Sequence, residues 1–260
     1  MRRAEVVALG LLQGPAELLP VSSSGHLAAI PWLLGWEHAR LHGERRKEVE
    51  VALHAGAALA LLIGRPGDLR GHRLEVLALS LAPPVVAGLA GERWIERRLG
   101  GPRSLAAGLL AGSAALVLAD RAPQRRRGED AGWRDGLALG VAQACALVPG
   151  VSRLAATLAA ARLQGFHQAD AVRLARGVGV PLVVGAAALK GVRLAQRPAD
   201  REAATLAAGA AAAFAATLAS LPLARMLERD RSLAPWAAYR AVLALALLAA
   251  RRDVRENPRP

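Results

Sequence analysis

The first residues with the means to do chemistry lie near the start of the chain, in the segment QGPAELLPVSSSGHLAAI. This segment carries a carboxylate at Glu17, three serines from Ser22 to Ser24, and an imidazole at His26. A serine hydroxyl beside an imidazole offers a nucleophile and a proton acceptor, and a carboxylate can act as a base or bind a hard cation. Ionisable groups within an apolar segment are functional by default. We therefore expect a site here.

A second polar segment, VPGVSRLAAT, lies in the other half of the chain. Pro149 and Gly150 end one predicted helix, Ser152 is placed to cap the next, and Arg153 follows the cap directly. An arginine in a membrane segment is costly, and its guanidinium is the natural fork for a phosphate. Backbone N–H groups at a helix start also favour an anion. Both segments are therefore predicted to bind an anionic group.

These residues also have structural interpretations. A serine that follows proline is usually a helix cap, and a single histidine is more often structural than catalytic. Arg153 could also snorkel from a helix end towards the headgroups. Glu17 is harder to explain in this way. The combination of Glu17, the serines and His26 in one segment with Arg153 in the other favours a shared site.

Other histidines and arginines are weaker candidates. His54, within VALHAGAAL, either faces the cavity or is a buried helix histidine with its partner on a neighbouring helix. Arg162 and Arg176 either end a helix or face the cavity. The histidines in or near polar joints, which we expect to be solvated, are His38, His42, His72 and His167.

The composition indicates a membrane protein. Of the 260 residues 53% are hydrophobic, and the mean hydropathy is +0.27 although 34 residues are Lys or Arg. These basic residues cluster in short joints between apolar runs, as in proteins with several membrane spans. We therefore expect the net charge of +13 to face anionic lipid headgroups and not nucleic acid. The single cysteine, Cys145, excludes an internal disulfide framework and a cysteine-based zinc site.

Apolar segments of two lengths alternate with these joints. A membrane span needs about 20 residues, and the segments that come close are 49–64, 74–91, 104–120, 178–196, 203–224 and 235–250. The shorter segments form two adjacent pairs broken by proline, 4–19 with 24–36 and 136–148 with 153–165. Broken helices at membrane depth must be buried in protein or line a wet cavity, because lipid cannot satisfy their backbone groups. We interpret each pair as a re-entrant hairpin.

The two broken pairs also resemble each other in sequence. ALGLLQ at 8–13 recurs as ALGVAQ at 138–143, an offset of half the chain. Three predicted spans lie between the hairpins, and this odd number places the second hairpin on the opposite face. The predicted fold is thus an all-α integral membrane bundle, one domain over 1–260. Its inverted halves, about 1–130 and 131–260, each hold a broken hairpin and three transmembrane helices, with the hairpin tips meeting near the midplane.

At these positions the sequence resembles the bacterial undecaprenyl-diphosphate phosphatases of the bacitracin-resistance type. QGPAELLPVSSSGH is similar to their first signature, in which Glu or Gln is followed four residues later by Glu and then by Leu-Pro-hydrophobic-Ser-Ser-Thr/Ser-Gly-His. PGVSRLAAT is similar to their second signature, Pro-Gly-x-Ser-Arg-Ser-Gly-Ala-Thr. The similarity covers essentially the whole chain, including VEVALHAGAALAL and the late AAYR.

The resemblance implies a membrane enzyme that removes the terminal phosphate of undecaprenyl diphosphate, recycles the lipid carrier of peptidoglycan synthesis and gives resistance to bacitracin. It implies Mg²⁺ or Ca²⁺ as cofactor, a bacterial cell membrane and an active site on the outer side. By position, the implied essential carboxylate is Glu17, with Gln13 as its partner at a metal, and the candidate nucleophile is Ser23. His26 would be its proton-transfer partner and Arg153 the diphosphate clamp. The supporting phosphate-binding residues implied are Ser22, Ser24, Gly25, Ser152 and Thr157.

Some positions depart from the family's pattern. Leu154 and Ala155 stand where the family usually has Ser-Gly, which removes a hydroxyl near the phosphate and bears on rate and substrate preference. Gln13 leaves one carboxylate fewer for a metal, and Arg176 falls where an apolar aromatic residue is usual.

A transporter or lipid flippase is the alternative function, because inverted repeats with broken helices are equally a transporter signature. Transport of an anion would not require the set of Ser23, His26 and Glu17, which favours hydrolysis. The attacking group stays open between Ser23, His26 and water. The expected partners are the polyprenyl diphosphate and membrane lipid, with a homodimer among the oligomeric states left open.

Overall fold

In the computed structural model the chain is helical, and the structure describes residues 2–41, 43–69, 71–195, 201–229 and 231–256. The α-helices within these residues are α1 (Arg3–Leu18), α2 (Ser23–Leu34), α3 (Gly43–Gly64), α4 (Leu74–Leu99), α5 (Pro102–Asp120), α6 (Trp133–Cys145), α7 (Arg153–Leu163), α8 (Gln168–Ala195), α9 (Arg201–Ala219), α10 (Leu221–Glu228) and α11 (Ala234–Glu256). Short 3-10 turns lie at Glu37–Arg40, Pro66–Leu69 and Gly128–Asp130. No β-strand occurs in the described ranges, and the all-α prediction is confirmed.

Four described helices are long and apolar enough to cross a membrane, over Leu74–Gly91, Pro102–Asp120, Gln168–Leu189 and Arg201–Ala219. They correspond to four of the six predicted spans. The helix α3 does not qualify because it begins with the charged sequence GERRKEVE, and the apolar part of α11 is shorter, at Ala234–Ala250.

Two predicted spans differ most from the helices of the structure. The helix α8 begins at Gln168, whereas the predicted span begins at 178. The prediction is too short because it followed apolar residues, and the first turns of α8 contain polar ones. The predicted segment 203–224 is divided into α9 and α10, with Pro222 near the start of α10. Proline lacks the N–H that would continue the hydrogen bonds of α9.

The first predicted hairpin is present as α1 and α2. The chain leaves α1 at Leu19, which is extended, as residues before proline usually are. Pro20 then prevents the helix from continuing. Ser22 caps the start of α2, and Gly35 ends α2 in the left-handed conformation, with φ 66°.

The buried carboxylate of Glu5 joins the start of α1 to the residues that follow α2, at the end of the hairpin away from the turn between the two helices. Glu5 accepts the backbone N–H groups of Glu37 at 3.2 Å and His38 at 3.1 Å, so the turn after α2 packs on the start of α1. His38 is consequently 1% exposed, and the prediction that it is solvated is wrong. Burial and then the Arg46 guanidinium lower the pKa of the His38 imidazole, which Glu5 partly opposes.

The second predicted hairpin is present as α6 and α7, and two arginines hold its outer end. Arg126 makes a bidentate contact with Asp135, with both N–O distances at 2.8 Å. Arg162 is 1% exposed and donates to the carbonyls of Phe166 at 2.7 Å and Ala122 at 3.1 Å. Arg162 therefore secures the end of α7, the first of the two alternatives for this residue.

Arg176, the residue at the family's usual aromatic position, forms an ion pair between helices. It donates to Oε1 of Glu228 at 2.6 Å and to the carbonyl of Ala224 at 3.0 Å, which ties α8 to α10. Arg65 reaches the same carboxylate oxygen at 2.5 Å. Breaking a buried pair leaves an uncompensated charge, so these contacts explain Arg176 as a structural residue.

Each hairpin packs closely against a helix of the other half. A Cβ added to Gly10 of α1 would lie 2.4 Å from the carbonyl oxygen of Gly209 on α9. A Cβ on Gly140 of α6, the equivalent position in the repeat, would lie 2.5 Å from that of Leu79 on α4. Small residues at such crossings let helix backbones approach in a membrane. The inverted relation of the two halves stays a prediction.

Candidate active site

The two hairpin tips, residues 19–23 and 149–153, have the same local backbone. Ser22 and Ser152 are the non-glycine residues with positive φ in the described part of the chain, at 77° and 68°. Each hydroxyl accepts an N–H from three residues on, from Gly25 at 3.1 Å and from Ala155 at 3.3 Å. Such backbone costs about 1–3 kcal/mol per residue and clusters at functional sites. The repeat in sequence is also a repeat in conformation.

The carboxylate of Glu17 is the centre of the candidate site. Its side chain is 3% exposed. Ser23 donates to Oε2 at 2.6 Å, and Arg153 donates to Oε1. Ser23 and Arg153 occupy equivalent positions, since they are the first residues of α2 and α7. The structure thus brings Glu17 and Ser23 of the first hairpin together with Arg153 of the second.

Two further side chains approach this carboxylate. Gln13, one turn earlier on α1, donates from Nε2 to Oε2 of Glu17 at 3.3 Å. His54 of α3 places its Nε2 3.8 Å from the same oxygen, while its Nδ1–H donates to the carbonyl of Glu50 at 2.7 Å. Of the two alternatives for His54, the structure supports the one in which it faces the site.

His26 makes different contacts from those of Ser23. Its Nδ1 lies 2.7 Å from the carbonyl of Ser22, which only accepts, so Nδ1 carries the proton and Nε2 is the acceptor of the neutral ring. The Tyr239 hydroxyl lies 2.6 Å from Nε2, and the two rings stack with centroids 5.5 Å apart. Because Ser23 donates to Glu17 in this structure, proton transfer between Ser23 and His26 stays a prediction.

The first turn of α2 presents backbone donors at the tip. The N–H of Gly25 is used by the Ser22 cap, and the first intrahelical bond runs from His26 to Ser22. Helix geometry therefore leaves the N–H groups of Ser23 and Ser24 without intrahelical acceptors, and the Ser24 side chain is exposed. An anion at this tip would meet the free N–H groups of Ser23 and Ser24, while the N–H of Gly25 is donated to Ser22, so the predicted contact of Gly25 with phosphate stays a prediction.

Two neighbours support Arg153. Thr157 is fully buried and donates its hydroxyl to the carbonyl of Arg153 at 2.8 Å, so its predicted contact with phosphate stays a prediction. Gly179 of α8 leaves space for the guanidinium, because a Cβ there would lie 2.0 Å from Nη1 of Arg153. Sequence reasoning missed Gly179, since a glycine within an apolar helix carries no chemical signal.

The helix α11 contributes two adjacent residues that the sequence analysis did not place in the site. Tyr239 contacts His26, and Arg240 donates to the carbonyls of Pro20 at 3.0 Å and Val151 at 2.9 Å. Two signals were available, an arginine inside the apolar segment 235–250 and the AAYR similarity. Nothing in the spacing connects either residue to the tips.

The oxygen atoms at and near Glu17 are possible ligands for a cation that binds together with a phosphate. No group of three or more His, Cys, Asp or Glu side chains is placed to hold a metal ion within the described residues. Oε1 of Gln13 is buried without a hydrogen-bond partner, while Nε2 of the same amide faces the Glu17 carboxylate, so rotation of the amide would turn Oε1 towards it. One carboxylate and one amide oxygen fit part of a Mg²⁺ or Ca²⁺ coordination sphere, which phosphate oxygens and water would complete.

This arrangement suits phosphoryl transfer. A hydroxyl 2.6 Å from a carboxylate has a base for its proton, and the guanidinium on the same carboxylate can neutralise phosphate charge. The N–H groups of the helix starts add donors for phosphate oxygens. Phosphoryl transfer depends mainly on such positioning and electrostatic stabilisation.

Known proteins of similar sequence align with nearly the whole of this chain. The profile of the family described as Bacitracin resistance protein BacA matches residues 6–246. The chain belongs to this family. The Undecaprenyl-diphosphatase of Geobacter sulfurreducens is 36% identical over 93% of this chain and 95% of its own. That of Thermomicrobium roseum is 34% identical over 94% and 96%, and Undecaprenyl-diphosphatase 1 of Rhodospirillum rubrum is 34% identical over 94% of each. The family indicated by the two signatures is confirmed.

Proposed function

We propose that this protein is a membrane phosphatase that hydrolyses undecaprenyl diphosphate to undecaprenyl phosphate and inorganic phosphate. Its relatives are named undecaprenyl-diphosphatases, and they align over nearly the full length of both chains. In the molecule itself, the observation that carries the proposal is the approach of Ser23 and Arg153 to the one carboxylate of Glu17. A transporter of an anion would need the positive charge of Arg153, but it would not need a hydroxyl that is hydrogen-bonded to a carboxylate.

In the serine and water routes of the proposed reaction an oxygen attacks the terminal phosphorus, and the bond from that phosphorus to the bridging oxygen breaks. If Ser23 attacks, its proton passes to Glu17, and Ser23 carries the phosphoryl group until water releases it as phosphate. If water attacks directly, Glu17 takes the proton of the water, which Ser23 orients. In both routes undecaprenyl phosphate leaves, and Arg153 neutralises charge on the transferred group.

The proposed role of His26 is to move a proton at Nε2. This nitrogen is the acceptor of the neutral ring, and His26 shares a face of α2 with Ser23, three residues earlier. In the serine route His26 would take the proton of the water that attacks phosphoserine. Direct attack by His26 on phosphorus is the third route, and it requires the Tyr239 hydroxyl to leave Nε2.

A divalent cation, Mg²⁺ or Ca²⁺, is part of the proposal. Glu17 and Oε1 of Gln13 are the protein oxygens that would hold it. When bound, such an ion supplies neutralisation of the diphosphate charge. Oxygen ligands from carboxylates and substrate phosphates are the usual surroundings of Mg²⁺ in phosphate enzymes.

The proposed location is the bacterial cell membrane, with the site on the outer side. The relatives are bacterial, and four described helices are long and apolar enough to span a bilayer. The isoprenoid tail would lie among apolar helices while the diphosphate reaches the tips. Regeneration of the lipid carrier at this place would support peptidoglycan synthesis and give resistance to bacitracin.

The direct test is phosphate release by purified protein in detergent. Undecaprenyl diphosphate is added with Mg²⁺, with Ca²⁺ or with a chelator, and both inorganic phosphate and undecaprenyl phosphate are measured. We expect equal amounts of the two products and their loss with chelator. Arg153→Gln should reduce the rate on the order of 10²–10³-fold, the cost of losing one preorganised donor. Arg134→Gln is the control, because Arg134 is an exposed arginine on α6.

The same protein in vesicles tests the transporter alternative. Movement of intact undecaprenyl diphosphate across the bilayer without release of phosphate would contradict the proposal and favour a flippase. Trapping of a phosphoryl group on Ser23 or on His26 would decide between the three attacking groups, and Ser23→Ala protein that keeps most of its rate would favour water.

A further inference from the structure

Arg240 of α11 contacts both hairpin tips and is fully buried. Its Nη1 donates to the carbonyl of Pro20 at 3.0 Å, and its Nη2 donates to those of Gly150 at 3.0 Å and Val151 at 2.9 Å. Nε and Nη2 also reach the carbonyl of Leu109 on α5, at 3.4 Å and 3.3 Å. One side chain therefore joins three parts of the bundle that are far apart in sequence.

The carbonyls that Arg240 contacts are at equivalent places in the repeat. Pro20 and Gly150 correspond to each other in the two hairpins, and each lies three residues before Ser23 or Arg153. A guanidinium is planar and rigid, so its two outer nitrogens hold their acceptors at a fixed separation. The separation of the tips in turn decides whether Ser23 and Arg153 both reach Glu17.

The helix α5 leaves space for this arginine. A Cβ on Gly112 would lie 1.9 Å from Nη2 of Arg240 and 2.6 Å from the carbonyl oxygen of Val151. A Cβ on Gly108 would lie 2.2 Å from the carbonyl oxygen of Pro149. Glycine within a helix costs about 1 kcal/mol relative to alanine. These close approaches give a physical reason for both glycines.

The charge of Arg240 lacks an acidic partner. Within the part of the chain that the structure describes, its contacts are backbone carbonyls, and no Asp or Glu forms an ion pair with it. Buried cations in membrane segments usually pair with acids or carbonyls and mark functional pathways. Since Glu17 and Arg153 pair with each other, Arg240 leaves this region with excess positive charge, which suits an anionic ligand.

We propose that Arg240 is a positioning residue that fixes the separation of the two tips and thereby holds Ser23 and Arg153 on the two oxygens of Glu17. It acts through the tip carbonyls and not on the reacting atoms. The kinetic part of this inference rests on the proposed phosphatase function, whereas the tip separation can be measured without any activity.

Thiol cross-linking measures the tip separation. Cys145 is the single cysteine, so a Cys145→Ala background is free of other thiols. Val21→Cys and Val151→Cys then place one thiol on each tip. A short bifunctional thiol reagent is applied to this pair, and the yield of the intramolecular product is compared with and without changes at Arg240.

Three variants perturb the contact in different ways. Arg240→Met removes all donors but keeps a long side chain, and Arg240→Lys keeps the charge without the planar fork. Gly112→Ala pushes on the guanidinium and on the Val151 carbonyl that it contacts, while Arg240 itself is unchanged. Gly88→Ala is the matched control, because a Cβ at this helical glycine meets nothing within 4 Å.

We expect Arg240→Met to lower kcat about 100-fold, as displacements near 1 Å do, with a smaller change in KM and a lower cross-link yield. Arg240→Lys should rescue part of both readouts. Gly112→Ala should lower both in the direction of Arg240→Met, and Gly88→Ala should match the parent protein in both.

An unchanged cross-link yield in Arg240→Met and Gly112→Ala protein would overturn the inference, whatever happens to the rate. If Arg240→Met protein is not monodisperse in detergent, Gly112→Ala and Arg240→Lys carry the test. If the parent protein releases no phosphate, the proposed function fails, and the cross-link yields still decide the role of Arg240.

Discussion

Ser22 and Ser152 give the two hairpin tips the same backbone, with φ of 77° and 68° and the same cap three residues on. The position after the cap is Ser23 in the first tip and Arg153 in the second. Both side chains contact the carboxylate of Glu17. The repeated backbone therefore supplies the direction of approach, and divergence of one residue supplies two different chemical groups.

The remaining divergence is one-sided. Glu17 and His26 of the first hairpin correspond to Leu147 and Ala156 of the second. The first hairpin thus holds the carboxylate and the imidazole, and the second holds the guanidinium of Arg153. Either hairpin alone would leave an ionisable group without a counter-charge in apolar surroundings, which is costly. The chemistry accordingly requires both tips at one place.

Removing the charge of Glu17 should have the largest effect. Glu17→Gln keeps the shape of the side chain but takes away the base for Ser23 and the counter-charge for Arg153. We expect phosphate release to fall on the order of 10³-fold. Leu147→Met at the corresponding place of the second hairpin should change the rate less than a few-fold. Comparable losses in the two variants would contradict the division of roles between the tips.

Tyr239→Phe tests the imidazole that the second hairpin lacks. The phenylalanine keeps the stacked ring but loses the hydroxyl 2.6 Å from Nε2 of His26. A hydrogen bond worth about 1–1.5 kcal/mol corresponds to a fall in kcat of about tenfold, with KM nearly unchanged. Val242→Ala, at an exposed position of the same helix, is the control. An unchanged kcat would mean that Tyr239 does not orient His26.

Sequence patterns predicted the helical class, both broken hairpins and the residues around Glu17. This was achievable because proline, serine and charged residues interrupt apolar runs at the tips, and such interruptions are local in sequence. Contacts between residues that are far apart in sequence could not be predicted in the same way. Tyr239 meets His26 across 213 residues, and Arg240 meets Pro20 across 220. Only the packing of α11 brings these pairs together.

The error at His38 has a similar origin. The residue lies among polar neighbours in sequence, which predicts solvation, but Glu5 draws its backbone onto α1 and buries the ring. The role of the two α5 glycines that lie against tip carbonyls, Gly108 and Gly112, could not be predicted from the sequence either, because it depends on which residues pack against α5.

Gln13 and Gln143 occupy equivalent positions in the two hairpins, and adding a negative charge at each tests which of them lies at the cation site. Gln13→Glu adds a carboxylate beside Glu17, so we expect a several-fold lower half-saturating Mg²⁺ concentration and a stronger loss of rate with chelator. Gln143→Glu is the matched variant at the equivalent position of the second hairpin. Gln143 donates to the carbonyl of Ser80 at 2.9 Å, so its replacement should cost about 1–3 kcal/mol of stability and leave the cation dependence unchanged. A Mg²⁺ titration identical to that of the parent protein would remove Gln13 from the cation site.

The smallest effect is expected at the two helix caps, Ser22 and Ser152, whose contributions to thermal stability can be compared directly. Ser22→Ala and Ser152→Ala each remove a hydroxyl that accepts a helix N–H, and each should cost about 1 kcal/mol, or about 2–4 °C in the unfolding midpoint. Ser→Gly at the same positions should cost less, because glycine adopts positive φ without strain. Thermal unfolding in detergent, at one scan rate for all variants, gives the four midpoints. Equal shifts at the two tips would mean that their backbones are energetically equivalent. A smaller shift at one tip would mean that the contacts of Glu17, Ser23 and Arg153 hold that tip in place of its cap.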